Sequence, residues 1–204
     1  MLDVLLSITL ATTLLWGKRV LLPWTGYPLL FSSLAVAWYG HSLPHETYSY
    51  DGPFLWKDLL HLTLVTDVLQ FAVHSATHSG HMPSFVVQSH RIHHLHTVPT
   101  PDTAFVTGVV DAFVQLLCPL FASFWWVRPS RRTAIAFGVC YSNWLVYLHS
   151  PLPDHGIPFL VTPSQHRQHH AHPHTHASHV LSWTSSRRTS RRGGGEREPP
   201  CVGG

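Results

Sequence analysis

The chain has 204 residues, 45% of them hydrophobic and only 11% charged, against roughly 25% charged in an ordinary soluble domain. Five of its 13 basic and two of its 10 acidic residues fall after residue 183, so the rest carries eight of each and is electrically neutral. Such a balance offers no basic surface for nucleic acid, and three cysteines without a C-x-x-C pair exclude a disulfide framework. The 19 histidines outnumber Lys and Arg together, so the polar side of this chain is imidazole.

In chain order, residues 4–16 and 20–39 are apolar and are split by Lys18 and Arg19. The second stretch is uncharged and long enough to cross about 30 Å of hydrocarbon. A secretory signal fits the first stretch poorly, because the positive charges follow the apolar run. A polar, turn-like segment covers 41–52. Residues 53–73 then predict a helix that is apolar on most sides and interrupted by Lys57, Asp58, His61 and Asp67. That pattern suits a helix buried among others or partly at a membrane interface. Residues 104–127, with Asp111 as their one charge, and 133–149 are joined by "RPSRR" (128–132). They predict a helical hairpin that enters and leaves a membrane on one side, with Trp125, Trp126 and Tyr147 near the interface. Cys118 and Cys140 sit in these apolar runs as small hydrophobes. Ser, Arg, Gly and Pro dominate 184–204, which predicts a disordered tail.

Histidine carries the chemistry. "HSATH" puts His74 and His78 at i and i+4, about one turn apart on one helix face. "HRIHH" puts His90, His93 and His94 at i, i+3 and i+4, and "HRQHH" repeats the arrangement with His166, His169 and His170. A hairpin over 104–149 brings the second and third boxes to the same face. Imidazoles gathered there repel one another when protonated and are costly to bury unpaired. A metal resolves both problems, because it takes neutral imidazole. Eight ligands exceed one tetrahedral ion and suit two. No cysteine lies near the boxes, as a structural zinc site would favour. Neither Glu-x-x-His nor H-E-x-x-H occurs. A histidine-rich di-iron centre fits best.

The boxes H-x-x-x-H, H-x-x-H-H and H-x-x-H-H, in this order around a hydrophobic hairpin, resemble the fatty acid hydroxylase/sterol desaturase superfamily. "HRIHHLHTVPTPDTAF" (90–105), "NWLVYLHS" (143–150) and "TPSQHRQHH" (162–170) are similar to segments of its sterol C5-desaturase-like members. The likeness covers roughly residues 53–180. It implies an all-α integral membrane helical bundle with a histidine-lined di-metal site on one membrane face. Residues 1–52 would be N-terminal membrane segments and a connecting loop, 53–183 the hydroxylase-like domain, and 184–204 the tail. It further implies an O2-dependent oxidoreductase that hydroxylates or desaturates a membrane lipid, sterol or fatty acyl/sphingoid. The cofactors would be two iron ions, with electrons from NAD(P)H through cytochrome b5, and the partners that lipid and cytochrome b5 or its reductase. A multi-pass membrane location follows, in the endoplasmic reticulum if the organism is eukaryotic.

The implied ligands are the eight box histidines, His149 at a further family position, and His155 six residues on. His96, His172, His174, His176 and His179 read as surroundings or solvated decoration, and His41, His45, His61 and His81 as structural or interfacial. Arg91 and Arg167 suit a lipid headgroup or an acidic donor protein as well as a solvated face. Asp111 is a functional candidate, because a lone intramembrane charge is expensive. After the third box the family continues to Asn-Tyr-Gly and then Trp-Asp, whereas this chain reads "HAHPHTHASHVLSWTSS". That departure predicts an end cut short or diverted near residue 180. It keeps two other readings open: an inactive truncated relative, and a non-enzymatic His-rich membrane protein that binds metal.

Overall fold

Ser130 pins the hairpin that the apolar runs predict. Its hydroxyl accepts the Thr133 N–H at 3.4 Å and donates to the Pro53 carbonyl at 2.6 Å, which caps the returning helix and ties it to the chain entering an earlier one. The computed structural model describes residues 27–172 and 179–182. The expectations for 1–26 and 184–204, and for His174 and His176, lie outside the described residues. Within them the architecture is helical. We label the main helices α1 (Tyr27–Tyr39), α2 (Trp56–His78), α3 (Ser84–His94), α4 (Val109–Val127), α5 (Arg131–Leu148) and α6 (Pro163–Ala171). No strand occurs among the described residues; Leu160 and Leu181 form an isolated antiparallel bridge.

The bundle has two chemically different ends. At one end Leu55 N–H donates to Thr133 Oγ1 at 3.1 Å and Thr47 Oγ1 to the Pro129 carbonyl at 3.0 Å. Arg131 donates to the Tyr48 carbonyl at 2.7 Å and lies 3.5 Å over the Tyr50 ring, so this buried guanidinium is held by a carbonyl and a π face. Between the ends, Leu62, Phe105, Phe124, Phe137, Tyr141 and Leu145 form the core. The polar side chains buried along α2 pair with facing helices: Thr66 donates to Ser123 at 2.8 Å, and Gln70 accepts from Tyr141. Every buried polar group paired in this way avoids an uncompensated desolvation cost. At the other end α2 finishes, α4 starts and α5 finishes, and the three histidine boxes meet there.

Helix α4 has a defect where it passes the boxes. Residues Ala112–Leu117 form a π turn, closed by Cys118 N–H to the Phe113 carbonyl. Pro119 supplies the cause: it has no N–H for the Gln115 carbonyl, so the normal i to i−4 ladder cannot run through it. The wider turn helps aim Asp111, Gln115 and Leu116 towards the cavity beside the boxes.

By length and composition, α2 and α4 are the described helices able to cross a membrane. Helix α5 completes the hairpin but does not meet that measure, because Arg131 and Arg132 occupy its first turn. Cys118 and Cys140 are exposed on the outside of the bundle.

A candidate metal centre

The first box ends α2, and the second and third sit on short helices. Thr162 and Gln165 close a reciprocal capping box at α6: Gln165 N–H donates to Thr162 Oγ1 at 3.3 Å, and Thr162 N–H to Gln165 Oε1 at 2.9 Å. Pro163 follows as the first helical residue, and His166, His169 and His170 all emerge buried. Helix α3 carries the second box against the start of α4. Their contact is so close that a Cβ on Gly108 would lie 2.1 Å from Ser89 Oγ, which in turn accepts the Asp111 N–H at 3.0 Å. Only glycine fits there.

Among the described residues nine imidazoles converge as two groups. His74, His78, His90, His94 and His169 form the first, and His93, His149, His166 and His170 the second. Within each group one nitrogen per ring lies within 4.8 Å of all the others. In the first group the Nε2 atoms of His78, His90 and His169 stand 2.8, 3.1 and 3.1 Å from that of His74. In the second, His166 Nε2 is 3.1 Å from His149 Nε2 and 3.2 Å from that of His170. All eight box histidines and His149 thus take part. His155 does not join them. Its Nδ1 accepts the Ile157 N–H at 2.9 Å and its Nε2 donates to the Val161 carbonyl at 3.2 Å, so backbone claims both nitrogens.

The environment sets the tautomers. Asp111 accepts from His90 Nδ1 at 2.9 Å, the Val106 carbonyl from His93 Nδ1 at 3.1 Å, and the Leu145 carbonyl from His149 Nδ1 at 2.7 Å. Each acceptor keeps the proton on Nδ1 and leaves Nε2 as a lone pair facing the other rings. Thr107 hydroxyl holds the second Asp111 oxygen. The lone charge read in the apolar run is therefore the outer partner of an imidazole, an arrangement that fixes metal-binding histidines. Lone pairs crowded at about 3 Å repel, and the Nδ1 atoms of His74, His94, His169 and His170 are buried without a hydrogen-bond partner. A cation in each group converts that repulsion into coordination, and the all-imidazole donor set fits a transition metal.

Burial favours the neutral form of six of the rings outside α2. It is the largest cause of the lowered pKa of His93, His94 and His149, at about 4, 2 and 3, with neighbouring imidazoles adding to it. His166, His169 and His170 are lowered for the same reasons.

One participant was not singled out by spacing. His179 lies stacked on His74, with ring centroids 5.1 Å apart, and is lowered to about 3 by burial and then by its imidazole neighbours. Its position depends on tertiary contacts, and a run with His172, His174 and His176 hides it in sequence. His172 and His96 are exposed. A cavity of about 70 Å³ opens beside the rings, lined by His74, His90, His93, His149 and His179 and by Phe105, Leu116 and Leu145. The last three also line a second cavity of about 80 Å³, which reaches Leu34, Phe137 and Gly138.

Two imidazole groups held at one end of an apolar helical bundle define a histidine-rich candidate metal centre. The profile of the fatty acid hydroxylase family matches residues 59–186, and the chain belongs to that family. It is 32% identical over 164 residues to an "Alternative squalene epoxidase" of Phaeodactylum tricornutum, covering 78% of this chain and 47% of that protein. It is 24% identical over 182 residues to a "Delta(7)-sterol 5(6)-desaturase" of Leptosphaeria maculans, covering 85% and 48%. A "Probable Delta(7)-sterol 5(6)-desaturase" of Neurospora crassa is 24% identical over 162 residues, covering 78% and 44%. The chain spans about half the length of these curated relatives. No solved structure gives a significant match.

Two outcomes follow from this geometry. Asp111→Ala frees the His90 ring and should weaken metal retention about 10- to 100-fold, read by chelator competition; unchanged retention would contradict the orienting role. Acid should destabilise the metal-free protein. Rings with folded pKa near 2 to 4 bind protons less readily than unfolded rings at 6.5, so stability is lost as pH falls below about 6.5. The unfolding temperature should be level above that pH and drop steadily towards pH 4; a flat profile would contradict buried neutral imidazoles.

Proposed function

We propose that the protein is a membrane-bound, non-haem di-iron oxygenase that hydroxylates or desaturates a lipid. The carrying observation is the pairing of five imidazoles with four at one end of an apolar bundle. Two ions would be held there, one by His74, His78, His90, His94 and His169 and the other by His93, His149, His166 and His170. When bound, iron supplies the activation of O2 that no side chain of this protein can provide.

The chain's own residues bind, orient and exclude water. Asp111 and the Val106 and Leu145 carbonyls hold the ring tautomers. Phe105, Leu116 and Leu145 form the apolar wall that keeps water from the reacting C–H bond and receives a hydrocarbon segment. The two cavities that share this wall suit a substrate with an extended apolar body. Sterol-type lipids are favoured by the activities named for the relatives, squalene epoxidation and sterol desaturation, with fatty acyl or sphingoid lipids next. Electrons would come from NAD(P)H through cytochrome b5.

Membrane insertion completes the reading. Helix α2 is 23 residues long, about 34 Å at 1.5 Å per residue, enough to cross a hydrocarbon core of about 30 Å. Leu60, Phe113 and Trp126 are 60%, 52% and 79% exposed on the bundle's outer surface, which suits lipid better than water. The imidazole end would lie at one membrane face, in the endoplasmic reticulum of a eukaryotic cell.

The test is turnover. Iron-loaded protein in lipid nanodiscs, given NADH, cytochrome b5 reductase, cytochrome b5 and a Δ7-sterol or squalene under 18O2, should consume O2 and yield a lipid that gains 18O or loses two hydrogens. Full metal loading with no O2 consumption on any sterol or acyl lipid would favour a metal-binding protein without oxygenase chemistry.

A further inference from the structure

Asp67 is the most deeply committed carboxylate of α2. It is fully buried, and its donors lie 112 to 114 residues along the chain. Oδ1 accepts the backbone N–H groups of His179 and Val180 at 3.3 and 2.8 Å, and Oδ2 accepts that of Leu181 at 3.0 Å. Three N–H donors on one buried carboxylate make a strong, charge-assisted clamp. The segment is also held from its other side: Trp144 Nε1 donates to the His179 carbonyl at 2.7 Å, and Val161 N–H donates to the Val180 carbonyl at 2.9 Å.

The clamp presents one side chain to the centre. The His179 ring stacks on His74 of the first group, with planes 24° apart, and lies 6.1 Å from His166 of the second. A ring stacked nearly parallel on His74 directs its in-plane lone pairs alongside those of His74, not at the same point. His179 is also absent from both converging sets, yet its Nδ1 is buried without a hydrogen-bond partner and the residue lines the cavity. Its backbone is over-determined, and its ring stacks on one member of the first group and neighbours one of the second.

We propose that Asp67 and His179 form a positioning device: the carboxylate clamps 179–181, and the clamped ring fixes the orientations of His74 and His166 and thereby the relative placement of the two metal positions. This rests on the metal-centre reading above. Packing, not coordination, is the function of the His179 ring, so an aromatic ring without nitrogen should serve. Asp67→Asn leaves one amide nitrogen where an acceptor is needed, so it should release at least one of the three N–H groups.

The test uses full-length protein loaded with 57Fe in nanodiscs, with three readouts: iron retained under chelator challenge, the Mössbauer spectrum, and hydrogen exchange at residues 179–182. Asp67→Asn and His179→Ala should each lower retained iron at least threefold and alter the quadrupole doublets. His179→Phe should restore both to wild type, and Asp67→Asn alone should deprotect the 180 and 181 amides. Wild-type retention and spectrum in His179→Ala would overturn the proposal. So would His179→Phe losing as much iron as His179→Ala, which would make His179 a ligand. Unchanged amide protection in Asp67→Asn would remove the clamp. If wild type takes up no iron, the metal-centre reading fails and the positioning role fails with it, a result distinct from loaded wild type with indifferent variants.

Discussion

The dominant constraint on this molecule is the crowding of buried imidazoles, nine among the described residues, at one end of an apolar bundle. Burial holds His93 and His149 neutral across the physiological range. Fixed acceptors on the Nδ1 side of His90, His93 and His149 then turn the Nε2 lone pairs inward. Such an end suits cations, because each unpaired buried nitrogen carries its own desolvation cost. The features around it serve to hold that end together: Gly108 lets α3 touch α4, the π turn before Pro119 brings Asp111 and Gln115 to the cavity, and Thr162 starts the helix of the third box.

The remainder of the bundle supplies what the imidazole end lacks. Its opposite end is tied by Ser130, Thr133 and Arg131, so the α4–α5 hairpin cannot splay and the boxes stay in register with α2. Between the ends Thr66 and Gln70 are consumed in helix-to-helix hydrogen bonds and Asp67 in bonds from the 179–181 backbone, which permits all three on a helix otherwise apolar enough to cross a membrane. The two cavities share Phe105, Leu116 and Leu145, placing a hydrocarbon-lined space directly against the rings.

Much of this was legible in the sequence because it is local. The i, i+3, i+4 spacing sets which imidazoles share a helix face, and the two apolar runs around "RPSRR" give the hairpin that brings the second and third boxes together. The family likeness read from the three boxes agrees with the family match over residues 59–186. What was not legible is long-range. Asp67 reads as an interruption in an apolar helix, yet its partners are backbone amides over a hundred residues away, and backbone donors leave no trace in side-chain patterns. His179 sits in a run of alternating histidines, and nothing in that run distinguishes the ring that packs on His74 from the exposed His172. His155 shows the converse: it is close in sequence to the ligands, but a tight loop uses both of its nitrogens.

The most direct measurement is the metal content of detergent-purified full-length protein, by elemental analysis, beside a His93→Ala/His169→Ala double variant that removes one imidazole from each group. The account predicts about two iron atoms per chain in the wild type and their loss in the variant. Little iron in the wild type, or zinc that survives both substitutions, would contradict it.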